Sequence, residues 1–433
     1  MQARRRRPLV YDASHLTTRL QGVTTTGIDW VDRAYARYLT GNERLACGLH
    51  YGAFSPHVLA PECVAALSKF HESKFNSDSS SRTSSGWRRL RAWLTGQDDC
   101  SHSSTPVRRQ FCELAERVAA LSLMTRTRLT HDRKREIPRD AVYLNVAQYG
   151  LEYGRLFDWL DRRPDIMPVF LAHDLLPFDY PEYFRDGYEA RFRMRVETIM
   201  RRARAIITTS HCTADRIAEE FRACGRLCPP INVAPLASPL EGARKSELHD
   251  PELSATPYFV MIATIEPRKN HLLLLNIWRD LAAAGAKTPK LVCVGGRGWS
   301  SAQTLDVFEQ SAKLSSHVRS VSGLPSPDLR LLLANARALL APSFAEGYGI
   351  PLVEAFEVGA PVICSDIPVF REVTQNCATF LSPLDGAGWR SAIRQFARDD
   401  SLVRDEAKRR ARAFKAPSWI EYFVGVESFV NSL

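Results

Sequence analysis

The chain has 433 residues, 45% of them hydrophobic and 24% charged, with 58 basic against 48 acidic side chains and a net charge of +10. That length predicts two domains, and the composition holds apolar material for two cores, which excludes a disordered or fibrous chain. The basic surplus is compatible with an anionic small substrate, an anionic membrane face or nucleic acid, and does not choose between them.

At the N-terminus, MQARRRRPLVYDAS is basic but leads into no apolar stretch of the signal-peptide kind. No run approaches the roughly 18–20 apolar residues that a spanning helix needs. The ten cysteines form no C-x-x-C pair, and several sit in apolar runs such as LVCVGG and PVICSD. Reduced thiols in a cytoplasmic protein are the expectation, with no metal site.

Taken in chain order, PLVYDAS reads as a strand, and TGIDWVDRAYARYL as a helix entered through a Thr-Thr-Thr-Gly loop. A serine-rich insertion over about 73–108, which contains GWRRLRAWLTG, reads as a flexible surface segment. AVYLNVA, MPVFLAHD and RAIITTS are further strands, and PEYFRDGYEARFRMRVETIMRRA is one long helix. Polar residues and prolines around SPLEGARKSELHDPELSATP mark a linker. From Tyr258 onward short apolar strands alternate with helices, from YFVMIATI to GAGWRSAIRQFARD. This alternation predicts βαβ units and a parallel, doubly wound sheet. The expected organisation is a domain over 1–245, a second over 250–415, and a terminal helix over 416–433 that packs back on the first.

Two stretches carry chemistry. In FAEGYGIPLVEAFEVG, Pro351 suits the first turn of a helix whose unpaired N–H groups point back at the EGYG loop. Gly347 and Gly349 allow close approach or positive φ. Glu346 in the loop and Glu354, expected in the first helical turn, then face one pocket. Carboxylates beside free N–H groups suit a polyhydroxylated ligand that also bears anionic oxygens. A first-turn acid favouring the macrodipole explains Glu354 alone, but not a loop acid between glycines. In TIEPRKNHLLLL, Arg268 and Lys269 stand before a helix start, where cations oppose the macrodipole unless an anion lies between them. Their place after a buried strand points to a diphosphate. By contrast LVCVGGRGWSSAQ lacks the full G-x-G-x-x-G spacing of a dinucleotide loop.

PRKN after a strand, followed by PSFAEGYGIPLVEAFEVGAPVICSDIPVFREV, resembles the donor domain of family 4 retaining glycosyltransferases of the GT-B fold. The resemblance covers roughly 257–430, and more weakly the N-terminal half through TTTGID, LAHDLLPFDYPEYF and ITTSHCTADRI. It implies two Rossmann-like doubly wound domains facing across a cleft, with 1–245 expected to bind the acceptor and 250–415 the nucleotide sugar. Glu346 and the backbone of Gly347, Tyr348 and Gly349 are then expected to hold donor-sugar hydroxyls, and Glu354 the ribose. Ile350, Leu352 and Val353 belong to the same nucleotide-binding helix start. Arg268 and Lys269 are expected to neutralise the diphosphate, and His173 to contact the sugar from the N-terminal domain. A histidine bonded only to neighbouring backbone is the alternative for His173. Thr26 and Gly27 line the cleft. No cofactor or metal is required beyond the nucleotide-sugar donor, and no nucleic acid is involved.

HDLLPFDYPEYF and TIEPRKN are similar to bacterial mannosyltransferases of surface polysaccharides. They imply GDP-mannose, ahead of a UDP-sugar, as donor and a glycan or lipid-linked sugar as acceptor. Arg4–Arg7, WRRLRAWL and the Arg191–Arg204 helix are compatible with peripheral contact with an anionic membrane at its inner face. They are equally compatible with an ordinary packed helix and a solvated tail. The rival readings are a sugar-nucleotide epimerase or hydrolase and a catalytically idle scaffold, which differ in whether donor is converted and whether an acceptor is needed.

Overall fold

The structure, a computed structural model, describes residues 6–21, 27–52, 56–79, 85–97, 136–239, 248–285, 287–299 and 301–433. Two sheets divide the chain. The first joins β1 (Leu9–Asp12), β2 (Leu45–Tyr51), β3 (Pro56–Leu59), β4 (Val142–Asn145), β5 (Met167–Ala172), β6 (Ala205–Thr208) and β7 (Ile231–Val233) in the order β3-β2-β1-β4-β5-β6-β7. Only β3 runs antiparallel to its neighbour. The second joins β8 (Tyr258–Ile262), β9 (Lys290–Val294), β10 (Val318–Val321), β11 (Leu339–Ala341), β12 (Val362–Ser365) and β13 (Thr379–Leu381) in the order β10-β9-β8-β11-β12-β13, all parallel.

The inner strands β1, β4, β5, β6, β8, β9 and β12 are short runs buried along nearly their whole length, as parallel strands covered by helices must be, while the edge strands are only partly buried. Strand order reverses between β1 and β4 in one sheet and between β8 and β11 in the other. These are the places where loops diverge from the carboxyl ends of the strands and leave room for a ligand.

Several elements differ from the sequence expectation. The segment Ser85–Thr95, expected as part of a flexible insertion, is a helix with Trp87, Leu90, Trp93 and Leu94 buried. It docks on the second half of the chain. Arg91 bridges Asp250 and Glu252 at 3.1 and 2.8 Å, and Trp93 lies under the cations of Lys290 and Arg319. Low complexity around it concealed an amphipathic helix with two aromatic anchors. Of the insertion's other residues, 80–84 and 98–108 lie outside the described residues, as do Arg4 and Arg5. The long helix expected over 181–203 is a 3-10 turn, Pro181–Tyr183, then a helix Tyr188–Arg202. Gly187, at φ 73°, breaks it.

Phe192 and Ile199 of that helix are buried in the N-terminal core, while Arg195 pairs with Glu152 and Arg202 with Asp158 and Asp161. The last helix, Trp419–Ser432, crosses back to the first half, where Phe423 stacks on Tyr38 at 4.0 Å and Tyr422 bonds Tyr35.

Candidate active site

The loops after β8 and β11 meet at the second sheet's switch point. After β8 the chain makes a 3-10 turn, Pro267–Lys269, and enters helix His271–Ala283 through Asn270 at φ 58°. Asparagine tolerates this left-handed conformation, and its side-chain amide ties the turn down by donating to the carbonyls of Pro342 and Pro383. The backbone N–H of Phe344 donates to the Arg268 carbonyl at 2.9 Å, which joins the two loops directly.

Glu346 is the centre of the cluster. Its carboxylate accepts from Arg268 Nη1 at 2.7 Å, Lys269 Nζ at 2.5 Å and Ser343 Oγ at 2.7 Å. Arg268 also donates to Ala345 O and to Glu266 at 2.8 Å. Burial alone would raise the Glu346 pKa, but Arg268 and Lys269 hold it down at about 2. Burial lowers the Lys269 pKa, with Glu346 opposing. For Arg268, Glu346 and Glu266 outweigh burial and push the pKa up. The site is thus an ionised, nearly enclosed group of two cations and two carboxylates, and charge-assisted bonds of this kind fix side-chain position.

Helix Ile350–Glu357 starts at Gly349, φ 107°, with Pro351 second in the helix. Glu354 is therefore its fifth residue. The expectation of a first-turn acid is corrected: the first turn carries none, and Glu354 is buried one turn deeper. Burial, reinforced by Glu357 and relieved by Arg330, raises its pKa to about 7. Glu346 and Glu354 thus answer to different charges.

The Tyr348 side chain is also committed, its hydroxyl donating to Leu236 O at 2.9 Å beyond β7. Leu352 and Val353 are core residues, while Ile350 faces Gly27, the first residue of helix Gly27–Thr40. Thr26 lies outside the described residues.

His173 and Asp174, at the carboxyl end of β5, form the opposite wall. A Cβ on Gly347 would lie 2.7 Å from Asp174 Cβ and 3.1 Å from His173 O, so only glycine allows the two halves to approach this closely. His173 Nε2 donates to Val146 O at 2.8 Å, which leaves Nδ1 as its acceptor, and burial brings its pKa down to about 4. Asp174, absent from the sequence reading, accepts from Leu176 N at 3.1 Å. Burial raises its pKa against the pull of Arg268 and Lys269. Its neighbour in sequence, His173, was the only signal pointing to it. Ser343 and Glu266 were missed for the same reason, since neither type is distinctive in a loop.

A further bridge crosses the cleft. Glu372, on helix Pro368–Val373, accepts from the backbone N–H groups of His211 and Cys212 at 2.6 and 3.1 Å, capping helix His211–Ala223 from the other half. Among the described residues, no group of three His, Cys, Asp or Glu side chains is placed to hold a metal ion. No helix among them is long and apolar enough to cross a membrane.

Two doubly wound sheets facing across a charged cleft define the GT-B fold, and residues 244–414 match the family model described as glycosyl transferases group 1. The chain resembles bacterial O-antigen mannosyltransferases. It is 30% identical over 226 residues to the O-antigen chain mannosyltransferase RfbU of Salmonella typhimurium, a match covering 52% of this chain and 59% of that one. It is 28% identical over 262 residues to O-antigen chain mannosyltransferase B of Escherichia coli, covering 58% and 66%. The chain thus matches less than two thirds of the length of either relative. Among solved structures, a sucrose-phosphate synthase from Thermosynechococcus elongatus superposes with a TM-score of 0.52 at 17% identity, over 76% of this chain and 80% of that one.

Proposed function

We propose that the protein is a retaining hexosyltransferase that moves mannose from GDP-mannose to a glycan or lipid-linked sugar acceptor in surface polysaccharide synthesis. The observation that carries this reading is the Arg268–Lys269–Glu346 cluster at the β8–β11 switch point, closed by His173 and Asp174. The sequence similarity to O-antigen mannosyltransferases supports the choice of sugar.

In this reading the donor diphosphate lies against Arg268 and Lys269, Glu346 holds sugar hydroxyls, and Glu354 the ribose. The anomeric C–O bond to phosphate breaks and its electron pair leaves with the phosphate, where the two cations oppose the growing charge. The acceptor oxygen bonds the anomeric carbon from the same face, and its proton passes to the departing phosphate. The nucleotide sugar is the only small molecule the reaction uses besides the acceptor.

The test is donor consumption and product anomeric configuration with purified protein, GDP-mannose and UDP-hexoses, in the presence and absence of acceptor glycans. GDP-mannose consumed only with acceptor, giving an α-linked product, is the expected result. Conversion of donor without acceptor, or none by any donor, overturns it.

A further inference from the structure

The two parts of the charged cluster are anchored differently. The turn Pro267–Lys269 is tied down within the second half, by the Asn270 amide on Pro342 O and Pro383 O and by Arg268 on Glu266. The loop after β11, which carries Glu346, is held from the first half as well. His173 and Asp174 close on Gly347, and Leu236 O receives the Tyr348 hydroxyl. A further contact from that side falls on Phe344, two residues before Glu346. The Tyr183 ring lies over it with centroids 5.7 Å apart and planes within 8° of parallel, an offset stack.

Tyr183 arrives there on a braced turn. It ends the 3-10 turn Pro181–Tyr183, in which its N–H donates to Tyr180 O at 3.1 Å. Just before the turn, Asp179 accepts from Arg216 Nε at 2.8 Å, which fastens it to helix His211–Ala223. Just after it, Phe184 stacks on Tyr188 and Tyr188 on Phe192, which is buried in the core of the first half. The turn therefore presents Tyr183 from a fixed base, and the stack transmits that position to the backbone of the Glu346 loop. A carboxylate that receives hydroxyls must be held to within a fraction of an ångström, and such precision comes from the groups behind it.

We propose that Tyr183 is a positioning residue: its stack on Phe344 sets the Glu346 carboxylate where the donor sugar's hydroxyls are received. The proposal rests on the transferase reading above. It separates the two parts of the donor, because the phosphate-facing turn does not depend on Tyr183 and the sugar-facing loop does.

The test is calorimetric titration of the full chain with GDP, GDP-mannose, UDP and UDP-glucose. Tyr183→Ala is expected to bind the nucleotide sugar about fivefold or more weakly than wild type, the worth of one aromatic pair, with free-nucleotide affinity kept within about twofold. Retained nucleotide binding also shows that the variant is folded. Tyr183→Phe keeps the ring and is expected to bind as wild type does. Phe344→Ala is expected to reproduce the loss, and the double variant to add nothing to it, since both remove one contact.

Unchanged nucleotide-sugar affinity in Tyr183→Ala overturns the proposal, as does an equal loss for nucleotide and nucleotide sugar. Tyr183→Phe binding as weakly as Tyr183→Ala overturns it too, by assigning the effect to the hydroxyl. Wild type that binds none of the four ligands overturns the transferase reading itself, a result distinct from wild type that binds them while Tyr183→Ala is unaffected.

Discussion

Lys269 Nζ lies 2.5 Å from Glu346 Oε1, an ion pair formed between a residue after β8 and one after β11. The same carboxylate holds Arg268, so both cations are aimed before any donor arrives. A diphosphate entering this cluster meets positioned charge and need not organise flexible side chains, which is how electrostatic stabilisation is gained cheaply.

Replacing Lys269 by Ala leaves Glu346 with Arg268 and Ser343 as partners. Turnover is expected to fall about 100-fold or more, with circular dichroism unchanged. Full activity in Lys269→Ala would remove the diphosphate assignment. Glu346→Gln is expected to cost about 3 kcal/mol or more in denaturant unfolding, because buried Lys269 loses the carboxylate it pairs with and Arg268 is left with Glu266.

Gly347→Ala tests the closeness of the two halves. The new Cβ would meet Asp174 at 2.7 Å and the His173 carbonyl at 3.1 Å, and backbone cannot swing away as a side chain can. Activity is expected to drop sharply and small-angle scattering to show a more open molecule. Adding Asp174→Gly removes the nearer clash and should close the molecule again in part, a coupling that independent sites do not show. Unchanged scattering and activity in Gly347→Ala would contradict the contact.

Glu372 bonds two N–H groups of a helix in the other half. Glu372→Ala is expected to cost about 1–3 kcal/mol. It should raise KM for the donor more than it lowers kcat, since it loosens closure without touching the charged cluster. An equal fall in kcat with KM unchanged would point to a different role.

The raised pKa of Glu354, about 7, gives a pH signature. Between its unfolded value, about 4.5, and 7 the folded protein binds more protons than the unfolded one. Stability from this group is therefore fully present below about 4.5 and is lost as pH rises through 7. Ligand binding runs the other way if ionised Glu354 receives the ribose hydroxyls. Affinity for a nucleotide sugar, whose phosphates do not titrate there, should strengthen by up to about tenfold per unit from pH 6 to 7.5. In Glu354→Gln the calorimetric profile should be flat, and a slope persisting there would assign it to another group.

Much of the second half was legible because its signals are local. Alternation of short apolar strands with helices sets a parallel sheet, and Pro351, the flanking glycines and the PRKN turn each act within a few residues of chain. Pattern fails where a residue's role depends on a distant partner. The helix Ser85–Thr95 looked like part of a loose insertion because its anchors, Lys290 and Arg319, are some 200 residues away. Glu354 was placed in the first turn because the helix start was read from Pro351, whereas the helix begins one residue earlier, at Ile350 after Gly349, which makes Glu354 its fifth residue.

The sequence by itself determined the doubly wound architecture of the second half and the positions of Arg268, Lys269 and Glu346, since periodicity and helix-start chemistry are properties of neighbouring residues. Only the tertiary structure decided that these three form one ion cluster and that Asp174 faces it across Gly347. The physical reason is the parallel crossover. It returns each strand to the same sheet end after a helix, so loops far apart in sequence converge at switch points that no local pattern encodes.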